Sequence, residues 1–375
     1  MRVLIVDDSA LMRRWLAECL SAEPGIDCAT ARDGRDALSK IASFDPDVVT
    51  LDINMPVMDG LSCLAQIMTE APRPVIMVSS LTDAGALATF EALELGAVDY
   101  IAKPSGTVSH DLRTIFPDLV AKVRAAAGVA PRRRTARAAR PSTRASARPA
   151  TRPAPAQDRP RERAGRAAAP CELVLIGAST GGPSAVEEVL LRLDNGFPAP
   201  IVIAQHMPRR FTQVFAERLS RQGEMPVIEL SRMTELVPGA AYLAQGDADV
   251  QISRRGGHLV AGPVPTDGRF VWTPSVDRMV DSALEAVAAD RIVAALLTGM
   301  GDDGAAAMTR LRSGGGRTIA QSEATCAVYG MPRALVEAGG ANRVVDIDRI
   351  AATLIRFVGA RTGTSHALRP EYLPR

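Results

Sequence analysis

Lysine is almost missing from this chain. Among 375 residues it occurs only as Lys40, Lys103 and Lys122. No lysine follows Lys122, so the C-terminal part cannot hold a P-loop lysine, a Schiff-base lysine or a Tyr-x-x-x-Lys dyad. Cysteine is scarce too. Cys19, Cys28, Cys63, Cys171 and Cys326 form an odd, scattered set without a Cys-x-x-Cys pair, which argues against both a disulfide framework and a zinc site. No apolar run approaches the roughly 18 residues needed to span a bilayer. The opening MRVLIVDDSA lacks the positive segment and long apolar stretch of an export signal. A soluble, cytoplasmic protein of two or three domains is expected, with enough hydrophobic residues (47%) for sizeable cores.

The net charge of +2 hides three unlike segments. Residues 1–127 carry 11 basic and 18 acidic side chains, a net −7, whereas residues 171–375 carry 21 and 22. Residues 128–170 hold 12 arginines against only Asp158 and Glu162, with seven prolines and no large aliphatic besides Val129. Such a composition cannot bury enough apolar surface to offset chain entropy, and its prolines interrupt helices. It is expected to be a disordered linker. Arginines can hold phosphates, but no aromatic is interleaved to stack on bases, so no nucleic-acid partner is expected.

On either side of that strap, apolar strand-like runs alternate with amphipathic helical patterns. The first half has five runs, at residues 2–7, 27–32, 47–53, 74–80 and 99–103. The second has runs at 172–179, 199–206, 226–231, 292–299 and 317–321. Short pieces with Gly and Pro turns between residues 240 and 272 suggest an antiparallel insertion. Alternation of this kind predicts two α/β domains, each a largely parallel sheet with helices on both faces. In such sheets ligands bind beyond the carboxyl ends of the strands.

In the first domain Asp7 and Asp8 close the first strand and Asp52 lies at the end of the third. Ser79 closes the fourth, and Lys103 the fifth. Crowded carboxylates repel unless a cation sits among them, and hard oxygen ligands suit Mg2+. A carboxylate beside Mg2+ can attack a phosphoryl group. A serine hydroxyl and an ammonium could then hold the phosphoryl oxygens. Taken singly, each acid could be a loop cap and Lys103 a surface charge; five such groups at strand ends make that explanation poor. The residues VDDSALMRR, LDINMPVMDG, VIMVSS and GAVDYIAKP resemble a response-regulator receiver domain over residues 1 to about 124. The resemblance implies a flavodoxin-like (βα)5 fold, phosphorylation of Asp52 and Mg2+ held by Asp7, Asp8, Asp52 and the backbone carbonyl of Asn54. Ser79 and Lys103 would complete the site, and Tyr100 would be the switch aromatic.

The second domain places one residue of each hydrolytic type after a strand. Ser179 follows LVLIGA and precedes TGGP; His206 closes APIVIAQ; Asp303 lies in GMGDDGA after VAALLTG. A serine hydroxyl becomes nucleophilic when an imidazole takes its proton, and a carboxylate fixes and stabilises that imidazole. Backbone N–H groups in the glycine-rich turns at Thr180 and Met300 could stabilise an oxyanion. Alone, His206 could be a hydrogen-bonded strand-end histidine and Ser179 a helix cap or phosphate-binding turn. GASTGG also looks like a dinucleotide-binding turn, but the missing lysine and the lack of an acidic ribose ligand about 20 residues on argue against a dehydrogenase. The order Ser179, His206, Asp303 differs from the Ser–Asp–His order of α/β-hydrolases.

LIGASTGGP, IAQHMP, LLTGMGDDGA and QSEATCAVYGMP resemble the catalytic domain of chemotaxis protein-glutamate methylesterases over roughly residues 171–358. The resemblance implies a division into receiver (1–127), linker (128–170), doubly wound esterase domain (171–360) and tail (361–375). It implies Ser179 as nucleophile, His206 as base, Asp303 as orienting acid, and Thr180 and Met300 at the oxyanion. It implies phosphorylation-activated hydrolysis of glutamate γ-methyl esters and deamidation of glutamines on chemoreceptor helices, without a cofactor for the ester chemistry. A chemotaxis-type histidine kinase would be the phosphodonor and methyl-accepting chemoreceptors the substrate, at receptor arrays without membrane insertion. The competing class is a phospho-dependent binding protein whose second domain has lost catalysis. The intact Ser179, His206 and Asp303 favour the enzyme.

Overall fold

The computed structural model describes residues 1–80, 82–103, 112–128, 170–266, 268–270 and 272–359. The linker expected at 128–170 and the tail expected at 361–375 lie almost wholly outside the described residues. Among the described residues no helix is long and apolar enough to cross a membrane.

The first half runs β1 (Arg2–Val6), α1 (Ala10–Ser21), β2 (Asp27–Ala31), α2 (Gly34–Phe44), β3 (Val48–Asp52), α3 (Gly60–Glu70), β4 (Val75–Ser80), α4 (Asp83–Leu95), β5 (Asp99–Lys103) and α5 (Leu112–Ala127). The five strands form a parallel sheet in the order β2-β1-β3-β4-β5, the flavodoxin-like order. Its inner strands are continuous apolar runs because helices cover both faces; all five residues of β3 are buried. Side-chain caps start the helices. Ser9, Asp33, Asp59 and Thr82 each accept a backbone N–H from the first turn of α1, α2, α3 and α4, satisfying a donor that the helix leaves unpaired.

The second half runs β6 (Leu173–Ala178), α6 (Gly182–Leu190), β7 (Ile201–Gln205), α7 (Arg209–Gln222), β8 (Val227–Leu230), β9 (Thr234–Glu235), β10 (Ala241–Ala244), β11 (Asp249–Arg255) and β12 (His258–Val264). It continues with α8 (Val276–Ala286), β13 (Ile292–Leu296), α9 (Ala305–Ser313), β14 (Arg317–Gln321), α10 (Met331–Glu337), β15 (Arg343–Val345) and α11 (Ile347–Val358). Seven strands make a parallel sheet ordered β15-β14-β13-β6-β7-β10-β8. A small antiparallel sheet, β11-β12-β9, stands apart from it. The expected antiparallel insertion needs correction at one end. Residues 241–244 are not in it; as β10 they slot in parallel register between β7 and β8. Tyr242 explains the placement: it is buried in the core below the sheet, and its hydroxyl accepts the Val237 N–H at 2.9 Å.

Each large sheet has a place near its centre where crossovers leave in opposite directions across the strands. In the first it falls between β1 and β3, and in the second between β6 and β13. The crevice that opens there is where doubly wound sheets place their ligands.

The two halves meet through α4 and β5 on one side and α6 and α7 on the other. Phe90 stacks on Phe215 (5.0 Å between centroids) and meets the edge of Phe211 (6.3 Å). Tyr100 stacks on Phe211 at 4.6 Å with the rings 9° apart. Arg218 bridges Glu94 of the first half and Glu187 of its own half. Beside this contact lies a cleft of about 1100 Å³ bordered by α4, the end of α5, α6 and residues 323–329.

Candidate active site

The sequence expectations assemble two clusters, one at each crevice. In the first, β1 ends at Asp7 and Asp8, and β3 ends at Asp52. Their carboxylate oxygens lie within 4.8 Å of one another. Lys103 at the end of β5 reaches in, with Nζ at 2.8 Å from both Asp7 Oδ2 and Asp52 Oδ2. Asp7 and Asp52 are buried and Asp8 is exposed. Burial, reinforced by the neighbouring Asp7, raises the Asp52 pKa against the pull of Lys103. Burial pulls the Lys103 ammonium down, but its bonds to Asp52 and Asp7 win and raise its pKa. Three carboxylates sharing one ammonium leave excess negative charge, the donor chemistry that fits Mg2+. Asn54 lies two residues beyond Asp52 at an exposed position in the loop to α3, and its carbonyl accepts no hydrogen bond from the described residues. Ser79 is buried, and its hydroxyl donates to the Gly85 carbonyl at 3.1 Å. Tyr100 is not solvent-facing but sealed against Phe211, and burial pushes its phenol far above the ordinary value.

Arg13 was not singled out by sequence reasoning. Its guanidinium donates to the carbonyls of Asp7 (2.7 Å) and Asp8 (2.9 Å), pinning the acidic turn from α1. Its spacing of five and six residues gives no signal that separates it from any other helix-surface arginine.

In the second crevice, β6 delivers Ser179 and the adjacent β7 delivers His206. The His206 N–H bonds the Ala178 carbonyl at 3.1 Å, so the ladder between β6 and β7 extends just far enough to set the two loops side by side. Gln205 stitches them further: its amide donates to the carbonyls of Ser179 (2.9 Å) and His206 (3.2 Å). Gly181 turns the chain into α6 with φ of +72°, and a Cβ there would come within 2.4 Å of Ala327. Only glycine fits that corner.

The polar chain is continuous. Ser179 Oγ lies 3.1 Å from His206 Nδ1, and His206 Nε2 lies 2.8 Å from Asp303 Oδ2. With Nε2–H donating to the carboxylate, Nδ1 is left as the acceptor for the serine proton. Asp303 is held by more than the imidazole. Its oxygens accept the Val276 N–H (2.7 Å), the Asp277 N–H (2.9 Å) and the Ser275 hydroxyl (3.0 Å). The carboxylate therefore sits on the N-terminus of α8, where the helix dipole favours negative charge. Burial pushes its pKa up, but the bonds from His206, Asp277 and Val276 outweigh burial and hold it below the usual carboxylate value. The adjacent Asp302 is exposed and takes no part in this chain.

Two backbone amides complete the picture. Neither Thr180 nor Met300 donates its N–H to any described residue. Both belong to the two glycine-bearing turns that face each other here. Ser179 N–H bonds the Thr298 carbonyl (3.0 Å), while the Thr298 hydroxyl bonds the Thr180 carbonyl (2.9 Å). The side chain of Thr180 is buried, with its hydroxyl beside the Asp99 carboxylate of β5. Ser275 escaped sequence reasoning, although Ser before VDRMV is a readable helix cap. What it does for Asp303 depends on two segments 28 residues apart.

A receiver-type sheet with an acidic crevice, joined to a doubly wound sheet with a Ser–His–Asp chain, defines a two-domain signalling hydrolase. Family models agree with both halves: a response regulator receiver domain matches residues 3–113, and CheB methylesterase matches residues 174–354. A protein-glutamate methylesterase/protein-glutamine glutaminase of Rhodospirillum rubrum is 51% identical over 353 residues, covering 94% of this chain and 95% of its own. One of Rhodopseudomonas palustris is 49% identical, covering 96% of this chain and 98% of its own. The solved catalytic domain of Thermotoga maritima CheB methylesterase is 36% identical, covers 50% of this chain and 98% of its own, and has a TM-score of 0.48. The chain belongs to the protein-glutamate methylesterase/protein-glutamine glutaminase family.

Proposed function

We propose that this protein demethylates glutamate γ-methyl esters and deamidates glutamines on chemoreceptor helices, with Ser179, His206 and Asp303 as the catalytic triad. The observation that carries this reading is the unbroken chain Ser179–His206–Asp303 at 3.1 and 2.8 Å. His206 Nδ1 takes the Ser179 proton as Oγ attacks the γ-carbonyl carbon. The N–H groups of Thr180 and Met300 receive the developing oxyanion. The imidazolium then returns its proton to the leaving group, releasing methanol from an ester or ammonia from an amide. Water attacks the acyl-enzyme, His206 again accepts the proton, and Ser179 is regenerated with a glutamate carboxylate as product. Asp303 remains ionised throughout, orienting the ring and stabilising its cation.

Residues 1–127 act as the receiver, 128–170 as a tether, 171–360 as the esterase and 361–375 as a tail. Asp52 accepts the phosphoryl group from a chemotaxis-type histidine kinase. Asp7, Asp8, Asp52 and the Asn54 carbonyl would hold Mg2+, which offsets phosphoryl negative charge. Lys103 neutralises a phosphoryl oxygen, and Ser79 turns from Gly85 to bond another. The unphosphorylated receiver restrains the esterase, because Tyr100 and Asp99 lie against the helix and turn that follow His206 and Ser179. The site of action is the cytoplasmic receptor array. The test is a methylated chemoreceptor incubated with the full-length protein and its Ser179→Ala variant. The parent releases methanol; release by the variant at a comparable rate would dismiss the triad.

A further inference from the structure

Trp272 takes no part in the chemistry assigned above, yet its indole lies on the imidazole of His206. The ring centroids are 5.3 Å apart and the planes differ by 10°. Both edges of the imidazole are already committed, Nδ1 to Ser179 and Nε2 to Asp303. The indole supplies a wall over its face, and the His206 side chain is left only 8% exposed.

The placement is built. The indole also meets the loop after β13, where a Cβ on Gly301 would stand 3.4 Å from Trp272 Nε1. Three residues on, the chain is latched: the Ser275 N–H bonds Asp249 Oδ1 at 2.9 Å, and Arg278 bonds Asp249 Oδ2 at 2.7 Å and the Pro265 carbonyl at 3.1 Å. Beyond the latch, Ser275 holds Asp303. One short segment thus grips the carboxylate with a hydroxyl and covers the imidazole with an aromatic ring.

We propose that Trp272 is a positioning residue for the hydrolytic reaction, keeping the His206 ring in the Ser179–Asp303 line and stabilising its cation through the indole face. This rests on the triad reading above. The imidazolium forms twice per turnover, once in acylation and once in deacylation, so a group that favours the cation lowers both barriers. An aromatic face attracts a cation through its ring quadrupole, most strongly for indole. Stacking also denies the ring the rotation that would break its alignment. The charged groups around this ring are Asp303 at Nε2, Asp277 of α8 beside Asp303, Asp249 of β11 paired with Arg278, and the Asp99–Lys122 pair beside Thr180. None of these changes when Trp272 is replaced.

The test uses the full-length protein and its Trp272→Leu and Trp272→Phe variants. Leucine keeps apolar bulk but loses the ring face; phenylalanine keeps a smaller face. Two rates are followed against pH: methanol release from a methylated chemoreceptor, and labelling of Ser179 by a fluorophosphonate. Trp272→Leu should lose roughly tenfold in both, mainly in kcat, with the acid limb of kcat/KM moved down by about half a pH unit. Trp272→Phe should stay within about threefold of the parent, with a smaller shift. Equal losses in both variants with unmoved acid limbs would reduce Trp272 to a structural filler and overturn the proposal. So would a leucine variant within twofold of the parent. If the parent itself is not labelled at Ser179, the triad reading falls and this proposal with it.

Discussion

Asp303 carries the clearest electrostatic signature at the scale of single residues, and its neighbours explain it. One imidazole, two helix N–H groups and the Ser275 hydroxyl converge on one buried carboxylate. Ser275→Ala deletes one of four donors and leaves the others, so it should lower kcat by roughly tenfold with KM nearly unchanged, as steady-state methanol release would show. Asp303→Asn should cost more than Ser275→Ala and less than Ser179→Ala, because it disturbs orientation and not the bond-forming atom. The same geometry sets a pH dependence. The folded-state pKa of Asp303 is depressed, so its stabilising contribution is in place above the ordinary carboxylate value near 4 and is lost as pH falls below it. Asp303→Asn should accordingly flatten the acid side of a plot of urea midpoint against pH. The three residues of the proposed triad were legible in sequence, since Ser179 and His206 directly follow apolar strand runs and Asp303 lies in the glycine-rich turn after a third. Ser275, Trp272 and Arg13 were not, because each earns its role through a contact made by folding and not through any local pattern.

Elements were legible in proportion to their hydrophobic continuity. The ten strand runs named from sequence all appear, two of them with unchanged bounds and the others trimmed by one to three residues at an end. β10 and β15 did not stand out as members of the main sheet: the one is four residues and the other three, and both join through parallel partners distant in sequence. Loop conformations were hidden as well. Val57, in the loop between β3 and α3, has φ of +68° and is 75% exposed. A β-branched residue in the left-handed region is strained, by about 1–3 kcal/mol. Val57→Asn should therefore raise the urea midpoint of the receiver transition by the equivalent of about 1 kcal/mol. An unchanged or lower midpoint would mean that the loop is held by something other than that backbone strain. Gly181 behaves in the opposite sense. Gly181→Ala would force both a positive φ and a clash with Ala327, and should displace Ser179 enough to abolish methanol release.

For the whole molecule the decisive feature is the surface where the halves meet. Tyr100 of β5 and Phe90 of α4 pack on Phe211 and Phe215 of α7, the helix that begins three residues after His206. Sequence could not have revealed this contact, because Phe211 and Phe215 at helical spacing read as ordinary core. Phe90→Ala removes the central ring and should raise the unphosphorylated rate of methanol release several-fold, while the catalytic rate after phosphorylation changes little. Glu94→Gln removes one partner of Arg218 at the exposed rim, where an ion pair contributes little and is screened by salt, and its effect should be smaller. The proposed tether at residues 128–170, of net +10, should keep the halves at high effective concentration after phosphorylation parts them, so release should be reversible when the phosphoryl group is lost. The most direct measurement is the initial rate of methanol release from a methylated chemoreceptor before and after Mg2+ and a small phosphodonor are added. The rate should rise in the parent, stay at its starting level in Asp52→Asn and be absent in Ser179→Ala. A parent rate that falls or does not respond, or a Ser179→Ala protein that still releases methanol, would contradict a phosphorylation-released serine esterase.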